Sequence, residues 1–221
     1  MTILIAELSG NHGGDLEKAK ELIHAAKWAG CDAVKIQLYE PEDLCDPANN
    51  AIYEKCKVPR DWIPELFARA KSCGIPLFSS VFAPWAVTFL EQFDPFAYKI
   101  ASPESTRLPD YNSIVRAIWT TDKEFFVSAG RDDMTWAYSL EADVVFYCKK
   151  GYPAKIKEAD LHYMEVAKLG FSDHTADVIS SLAMIKAGAT HLERHLKLDD
   201  DCIDAAFSLN PSQMKLLCRL A

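Results

Sequence analysis

The chain has 221 residues, 49% of them hydrophobic and 25% charged, which is enough to bury one large core and leaves no low-complexity tract. A formal net charge of −8 gives no basic field for nucleic acid, no lysine- and arginine-rich helix pattern marks a membrane surface, and any anionic ligand must be held by a few local cations. The seven cysteines are odd in number and never spaced Cys-x-x-Cys, the apolar opening at residues 2–6 is too short for a signal segment, and no later run reaches membrane-spanning length, so the expected location is a reducing cytoplasm.

The first apolar run, residues 3–8, is followed by the turn Asn11-His12-Gly13-Gly14 and a helical pattern at 15–28, where Leu16, Ala19, Leu22, Ile23 and Ala26 recur at helical spacing behind a capping Asp15. The turn lacks both Gly-x-Gly-x-x-Gly and Gly-Lys-Ser/Thr, so it reads as a tight strand-to-helix connection. Further apolar runs follow at 33–39, 76–80, 96–100, 125–128, 144–148, 170–171 and 191–196. Helical patterns lie between and after them at 61–72, 84–92, 110–119, 131–138, 159–168, 175–187 and 211–220. Eight strands alternating with about eight helices favour a closed (β/α)8 TIM barrel over an open doubly wound sheet, with residues 1–221 as one catalytic domain.

Side chains alternate faces along a strand, so Ile3, Ile5 and Glu7 share one side, Ala33, Lys35 and Gln37 another, and His191, Glu193 and His195 a third. Glu7, Lys35, Lys99 and Glu193 all stand late in otherwise apolar strands, at the end of a barrel where catalytic groups gather. Taken singly, each reads most simply as half of a structural ion pair. Together they point to a site, because burying each charge without compensation costs roughly several kcal/mol. Lys35 and Lys99 can bind a phosphate as point charges, with hydroxyls donated by Ser102, Ser128 and Ser172 from the following loops. His174 and His195 follow the seventh strand and end the eighth. Two neutral imidazoles side by side suit manganese, zinc, iron or cobalt, although core and capping histidines are commoner.

Read together, Ile5-Ala6-Glu7 with Asn11-His12-Gly13-Gly14-Asp15, Ala33-Val34-Lys35-Ile36-Gln37 and Tyr98-Lys99-Ile100-Ala101-Ser102-Pro103-Glu104 resemble the N-acetylneuraminate synthase family. Ser128-Ala129-Gly130, Tyr152-Pro153, Ser172-Asp173-His174-Thr175, Glu193-Arg194-His195 and Asp204-Ala205-Ala206-Phe207-Ser208-Leu209 continue the likeness in the same order. The resemblance implies a condensation of phosphoenolpyruvate with a sugar aldehyde to a nonulosonic acid, with release of phosphate. It places Lys35, Lys99, Ser102, Ser128 and Ser172 on the phosphate, and His174 and His195 on a divalent metal, typically manganese, that polarises the aldehyde. Glu7 and Glu193 would hold water or line the pocket, Glu104 would handle protons, and Gln37, Tyr152 and Asp204 would contact the acceptor sugar.

The sequence departs from the family pattern in three places. Family members usually carry a carboxy-terminal antifreeze-like domain, so the expectation is either a separate protein that supplies it or a different hold on the acceptor. Because that domain helps to cement the family's usual homodimer, the oligomeric state stays open. The loop Asp199-Asp200-Asp201-Cys202-Ile203-Asp204 replaces a Gly-Pro-Asp arrangement. Lys150, beside Lys149, stands where asparagine is usual, and Arg131 where methionine is common, so a basic mouth and an acceptor carrying phosphate or carboxylate are one expectation. Solvated loop lysines are the other. Competing functional readings are a 3-deoxy sugar acid synthase acting on a phosphorylated aldose and a non-catalytic sugar- or phosphate-binding barrel.

Overall fold

The computed structural model describes residues 1–44, 46–102, 111–167 and 169–221. The eight apolar runs form eight parallel strands: β1 (Ile3–Glu7), β2 (Ala33–Leu38), β3 (Leu77–Val81), β4 (Ala97–Ile100), β5 (Glu124–Ala129), β6 (Val144–Cys148), β7 (Gly170–Asp173) and β8 (His191–His195). They pair in sequence order and close with β1 against β8, giving the expected (β/α)8 barrel. Around it lie α1 (Leu16–Ala29), α2 (Asn50–Cys56), α3 (Ile63–Cys73), α4 (Pro84–Leu90), α5 (Tyr111–Trp119), α6 (Met134–Ser139), α7 (Glu158–Ala167), α8 (Val178–Lys186) and α9 (Pro211–Leu220). β7 runs two residues beyond its apolar stretch, because Ser172 and Asp173 pair with Glu193 and Arg194. The short helix α2 and the 3₁₀ turns before it had no counterpart in the periodicity.

Local chemistry explains where the elements start and stop. The Asp15 carboxylate accepts from the backbone N–H groups of Glu17 at 2.8 Å and Lys18 at 3.2 Å, and Gly30 ends α1 in the left-handed region at φ 97°. α1 buries Ala19, Leu22, Ile23 and Ala26, the spacing read from the sequence. Asn210 and Gln213 form a reciprocal capping box at the start of α9, which packs beside α1.

The barrel interior is layered. Ile5, Ala33, Phe78, Ala97, Phe126 and Phe146 form an apolar cluster of their own toward the amino ends of the strands. Two residues further along the same six strands, on the same inward face, stand Glu7, Lys35, Ser80, Lys99, Ser128 and Cys148. The interior thus changes from apolar to polar within one strand repeat, which puts the polar layer under the catalytic end of the barrel. Gly170 is required by this packing: a Cβ there would lie 2.7 Å from Cδ1 of Phe146, its partner across β6 and β7.

On the outward face of β7 and β8, Asp173 and Arg194 are fully buried and 2.8 Å apart. The guanidinium also donates to Thr175 Oγ1 at 3.1 Å, and Ser181 Oγ donates to Asp173 at 2.5 Å. This cluster fixes the segment after β7 that carries His174. Asp173→Ala leaves a buried guanidinium without its counter-ion and is expected to destabilise the protein by about 3–5 kcal/mol, read as a lower urea midpoint in equilibrium unfolding. A loss under about 1 kcal/mol would mean that the pair is solvated in the folded protein.

Candidate active site

Glu7, Lys35, Lys99 and Glu193 converge inside the barrel, each at most 5% exposed. Lys35 is ion-paired with Glu7, lies 3.4 Å from Glu193 Oε2 and donates to Ser80 Oγ at 2.8 Å. Lys99 donates to Glu193 Oε2 at 2.8 Å and to Ser172 Oγ at 2.9 Å, and its ammonium stands 3.9 Å above the centre of the Phe146 ring. Ser172 and Ser128 share a hydrogen bond of 2.9 Å, so two ammonium groups and two of the three predicted serine hydroxyls are linked through short contacts. Ser102 is buried and lines the same cavity.

The charges set one another's protonation. Burial opposes ionisation of Glu193, but Lys35 and Lys99 more than offset it and hold the carboxyl at about 2. For Lys35 burial is likewise outweighed, by Glu193 and Glu7, and its affinity for the proton rises. For Lys99 burial prevails, Lys35 adds repulsion, and the ammonium is brought down to about 8 despite Glu193.

The two imidazoles lie at the other side of the same space. The ring centres of His174 and His195 are 5.1 Å apart, with Tyr152 4.6 Å from His174 and Phe207 4.9 Å from His195. His195 Nδ1 donates to Asp204 Oδ2 at 3.0 Å, which leaves Nε2 for a ligand. Burial, then the charge of His195, pushes His174 well below the ordinary histidine range and keeps its ring neutral. A pair of imidazoles, one kept neutral by burial and the other oriented by a carboxylate, fits a divalent metal whose remaining positions go to water or substrate oxygens. Among the described residues no cluster of three or more His, Cys, Asp or Glu side chains could hold a metal ion.

Every predicted site residue except Glu104, which lies outside the described residues, lines one cavity of about 520 Å³. Gln37, half-buried, and Tyr152, half-exposed, stand on its walls. Asp204 lines it too, while its carboxylate is engaged by His195. The expected basic mouth is not built by Lys149, Lys150 or Arg131. Lys149 follows the inward Cys148 and therefore points outward, where it meets Asp160 at 3.1 Å; Arg131 donates to the Ala159 carbonyl at 2.9 Å and lies over the Tyr163 ring. Neither these side chains nor Lys150 line the cavity, whose cations among the described residues are Lys35 and Lys99.

Sequence reasoning missed several residues. Ser80 was legible as the inward position two after Phe78. Asn11 was placed only in a turn, yet it is fully buried: it donates to Leu196 O and Ser208 Oγ, both at 2.9 Å, and accepts from the Asp204 backbone N–H at 3.1 Å. It thereby ties the loop after β1 to the loop that orients His195. Tyr39, Tyr53, Asp46 and Asn49 form a wall supplied by the connection after β2, with Tyr53 and Asn49 both donating to Asp46.

Residues 22–221 match the model of the NeuB family. The chain belongs to the NeuB family. Among family relatives, the pseudaminic acid synthase of Campylobacter jejuni is 34% identical over 97% of this chain and 71% of its own length. The N,N'-diacetyllegionaminic acid synthase of the same species is 30% identical over 98% and 74%. The N-acetylneuraminic acid synthetase of Leptospira borgpetersenii, crystallised with citrate, superimposes with a TM-score of 0.89 at 23% identity, covering 99% of this chain and 82% of that one. NeuB membership makes this barrel a sialic acid synthase-like enzyme of carbohydrate biosynthesis with small-molecule substrates, as the resemblance implied. Among the described residues no helix is long and apolar enough to cross a membrane.

Proposed function

We propose that this barrel condenses phosphoenolpyruvate with an uncharged amino-sugar aldehyde to give a nonulosonic acid and inorganic phosphate. The observation that carries the reading is the division of one cavity into an ammonium and hydroxyl end at Lys35, Lys99, Ser128 and Ser172, and an imidazole end at His174 and His195. The first end suits a phosphate and the second a polarised carbonyl. In the reaction, C3 of phosphoenolpyruvate forms a bond to the aldehyde carbon, whose oxygen takes up a proton. Water then adds at C2, and the C2–O bond breaks as phosphate leaves with its bridging oxygen.

Lys35 and Lys99 bind and orient the phosphate, and the Ser128 and Ser172 hydroxyls donate to its oxygens. Ser102 closes the same end. Glu193, held at about 2, stays ionised at neutral pH and is too weak a base to take a proton readily, so its part is to hold the two ammonium groups in place. Glu7 does the same for Lys35. His174 and His195 would hold a divalent metal, manganese by the family resemblance, which supplies Lewis-acid polarisation of the aldehyde when bound. Gln37 and Tyr152 contact the acceptor, with Tyr39, Tyr53 and Phe207 offering ring faces to its apolar substituents. The outward turn of Lys149 and Arg131 favours an uncharged acceptor over a phosphorylated one.

The test is incubation of metal-stripped protein with phosphoenolpyruvate and paired neutral and phosphorylated amino sugars, with and without Mn²⁺, following phosphate release and product mass. Metal-dependent release with a nine-carbon acid from a neutral sugar is expected. Silence across the whole panel would remove the synthase reading. Preference for a phosphorylated sugar would remove the acceptor assignment, and a seven- or eight-carbon product would shift the enzyme to the 3-deoxy sugar acid group.

A further inference from the structure

Beneath the polar layer, the contact between Lys99 and the apolar floor has no counterpart in the roles assigned above. Phe146 is fully buried; its ring lies against Gly170 on one side and beneath the Lys99 ammonium, 3.9 Å from the ring centre, on another. Phe126 and His191 flank it with ring centres at 5.7 and 5.8 Å, which locks the ring's tilt. An aromatic face attracts a cation through its quadrupole, most strongly where water is excluded, and Lys99 is 1% exposed. We propose that Phe146 is a positioning residue: its ring, seated on Gly170, holds the Lys99 ammonium charged and in place at the phosphate end of the cavity.

The ring does what a carboxylate at that position would do less well. A third anion beside Glu7 and Glu193 would leave the pair of lysines over-neutralised and repel an incoming phosphate. The quadrupole of a neutral ring stabilises the ammonium without adding net charge. Gly170 is part of the same device, since a Cβ there would lie 2.7 to 3.0 Å from three ring carbons and would push the ring off its seat. Burial works against the charge of Lys99, and the ring face 3.9 Å from the ammonium sides with Glu193 in opposing it. The titratable groups facing Lys99 are Glu193 and His191 from β8, Lys35 from β2 with its partner Glu7 from β1, Cys148 from β6 and His174 after β7. A change confined to the ring's electrons acts on Lys99 and, among these groups, also on His191, whose ring flanks Phe146 at 5.8 Å; the His191 titration is followed alongside.

That confinement defines the experiment. Mono-, di- and trifluorinated phenylalanine at position 146 keeps the ring's shape while weakening its quadrupole in steps. The ¹³Cε resonance of Lys99, assigned with Lys99→Arg in lysine-labelled protein, reports its titration without any substrate. The Lys99 titration is expected to move to lower pH stepwise across the series, by about half to one and a half units in total. The KM for phosphoenolpyruvate should rise in step at pH 8 and change little at pH 6.5, with the KM for the sugar unchanged. Gly170→Ala, which displaces the ring, should also lower the Lys99 titration.

A Lys99 titration that stays put across the fluorinated series overturns the proposal, whatever the unmodified protein does with phosphoenolpyruvate. The consequence for phosphoenolpyruvate rests on the reading given above, and the two fail separately. A stepwise resonance shift in a protein that never releases phosphate upholds the ring's hold on Lys99 and removes the substrate.

Discussion

Replacing Lys99 with alanine is expected to lower kcat/KM for phosphoenolpyruvate by about a hundredfold to a thousandfold, with most of the loss in KM. The lysine supplies one of two buried ammonium groups at the phosphate end. The fold should survive, because Glu193 keeps Lys35 as a counter-ion 3.4 Å away. A melting temperature close to the parent's checks this. Phosphate release at varied phosphoenolpyruvate gives the kinetic result, and a loss under about fivefold would move the phosphate away from Lys99.

The same residue gives the unmodified enzyme a pH dependence of definite sign. The Lys99 ammonium is lowered to about 8, so it is charged below that pH and loses its charge as pH rises through it. Lys35 is shifted the other way and stays charged over the same range. The KM for phosphoenolpyruvate should therefore be flat below about pH 7 and climb above pH 8, by up to about tenfold per unit. In Lys99→Ala that climb should disappear. A climb that persists in the variant would assign it to another group.

Removal of His195 is expected to have the second large effect. His195→Ala takes away one of two ring ligands and should abolish saturable Mn²⁺ binding in the micromolar range, read by paramagnetic resonance of free manganese and independent of turnover. Asp204→Asn is the finer test. Burial works against the charge of Asp204, but the hydrogen bonds from His195 and Ser9 outweigh it and hold the carboxyl below its usual range, so at neutral pH it is the anion that orients the imidazole. Loss of that anion should weaken metal affinity by about 10–100-fold while the ring remains. Unchanged manganese binding in His195→Ala would remove the metal from this pair.

Much of this was readable from the chain alone, for a physical reason. Strand and helix periods are local, and so is the oddity of Lys35 or Glu193 at the inward position of an apolar strand, since alternation over five residues assigns the face. The eight-strand barrel and the charged layer at its mouth follow from that, and in this family so does the order of the motifs. What the sequence left open depends on partners far apart in the chain. Ser80 meets Lys35 across 45 positions, Lys99 meets Glu193 across 94, and Asn11 reaches Ser208 across 197.

Only closure of β1 on β8 and the register of each strand pair decide such contacts. The same holds for the Phe146 ring seated on Gly170, which needs the two to stand opposite each other on β6 and β7. The charges of Lys149 and Arg131 were visible, but their direction was not: a strand's alternation and a carboxylate on α7 turned Lys149 away from the cavity. The sequence by itself determined which residues were too costly to bury singly; the tertiary structure decided which neighbour made each burial tolerable, because that depends on distance in space and not along the chain.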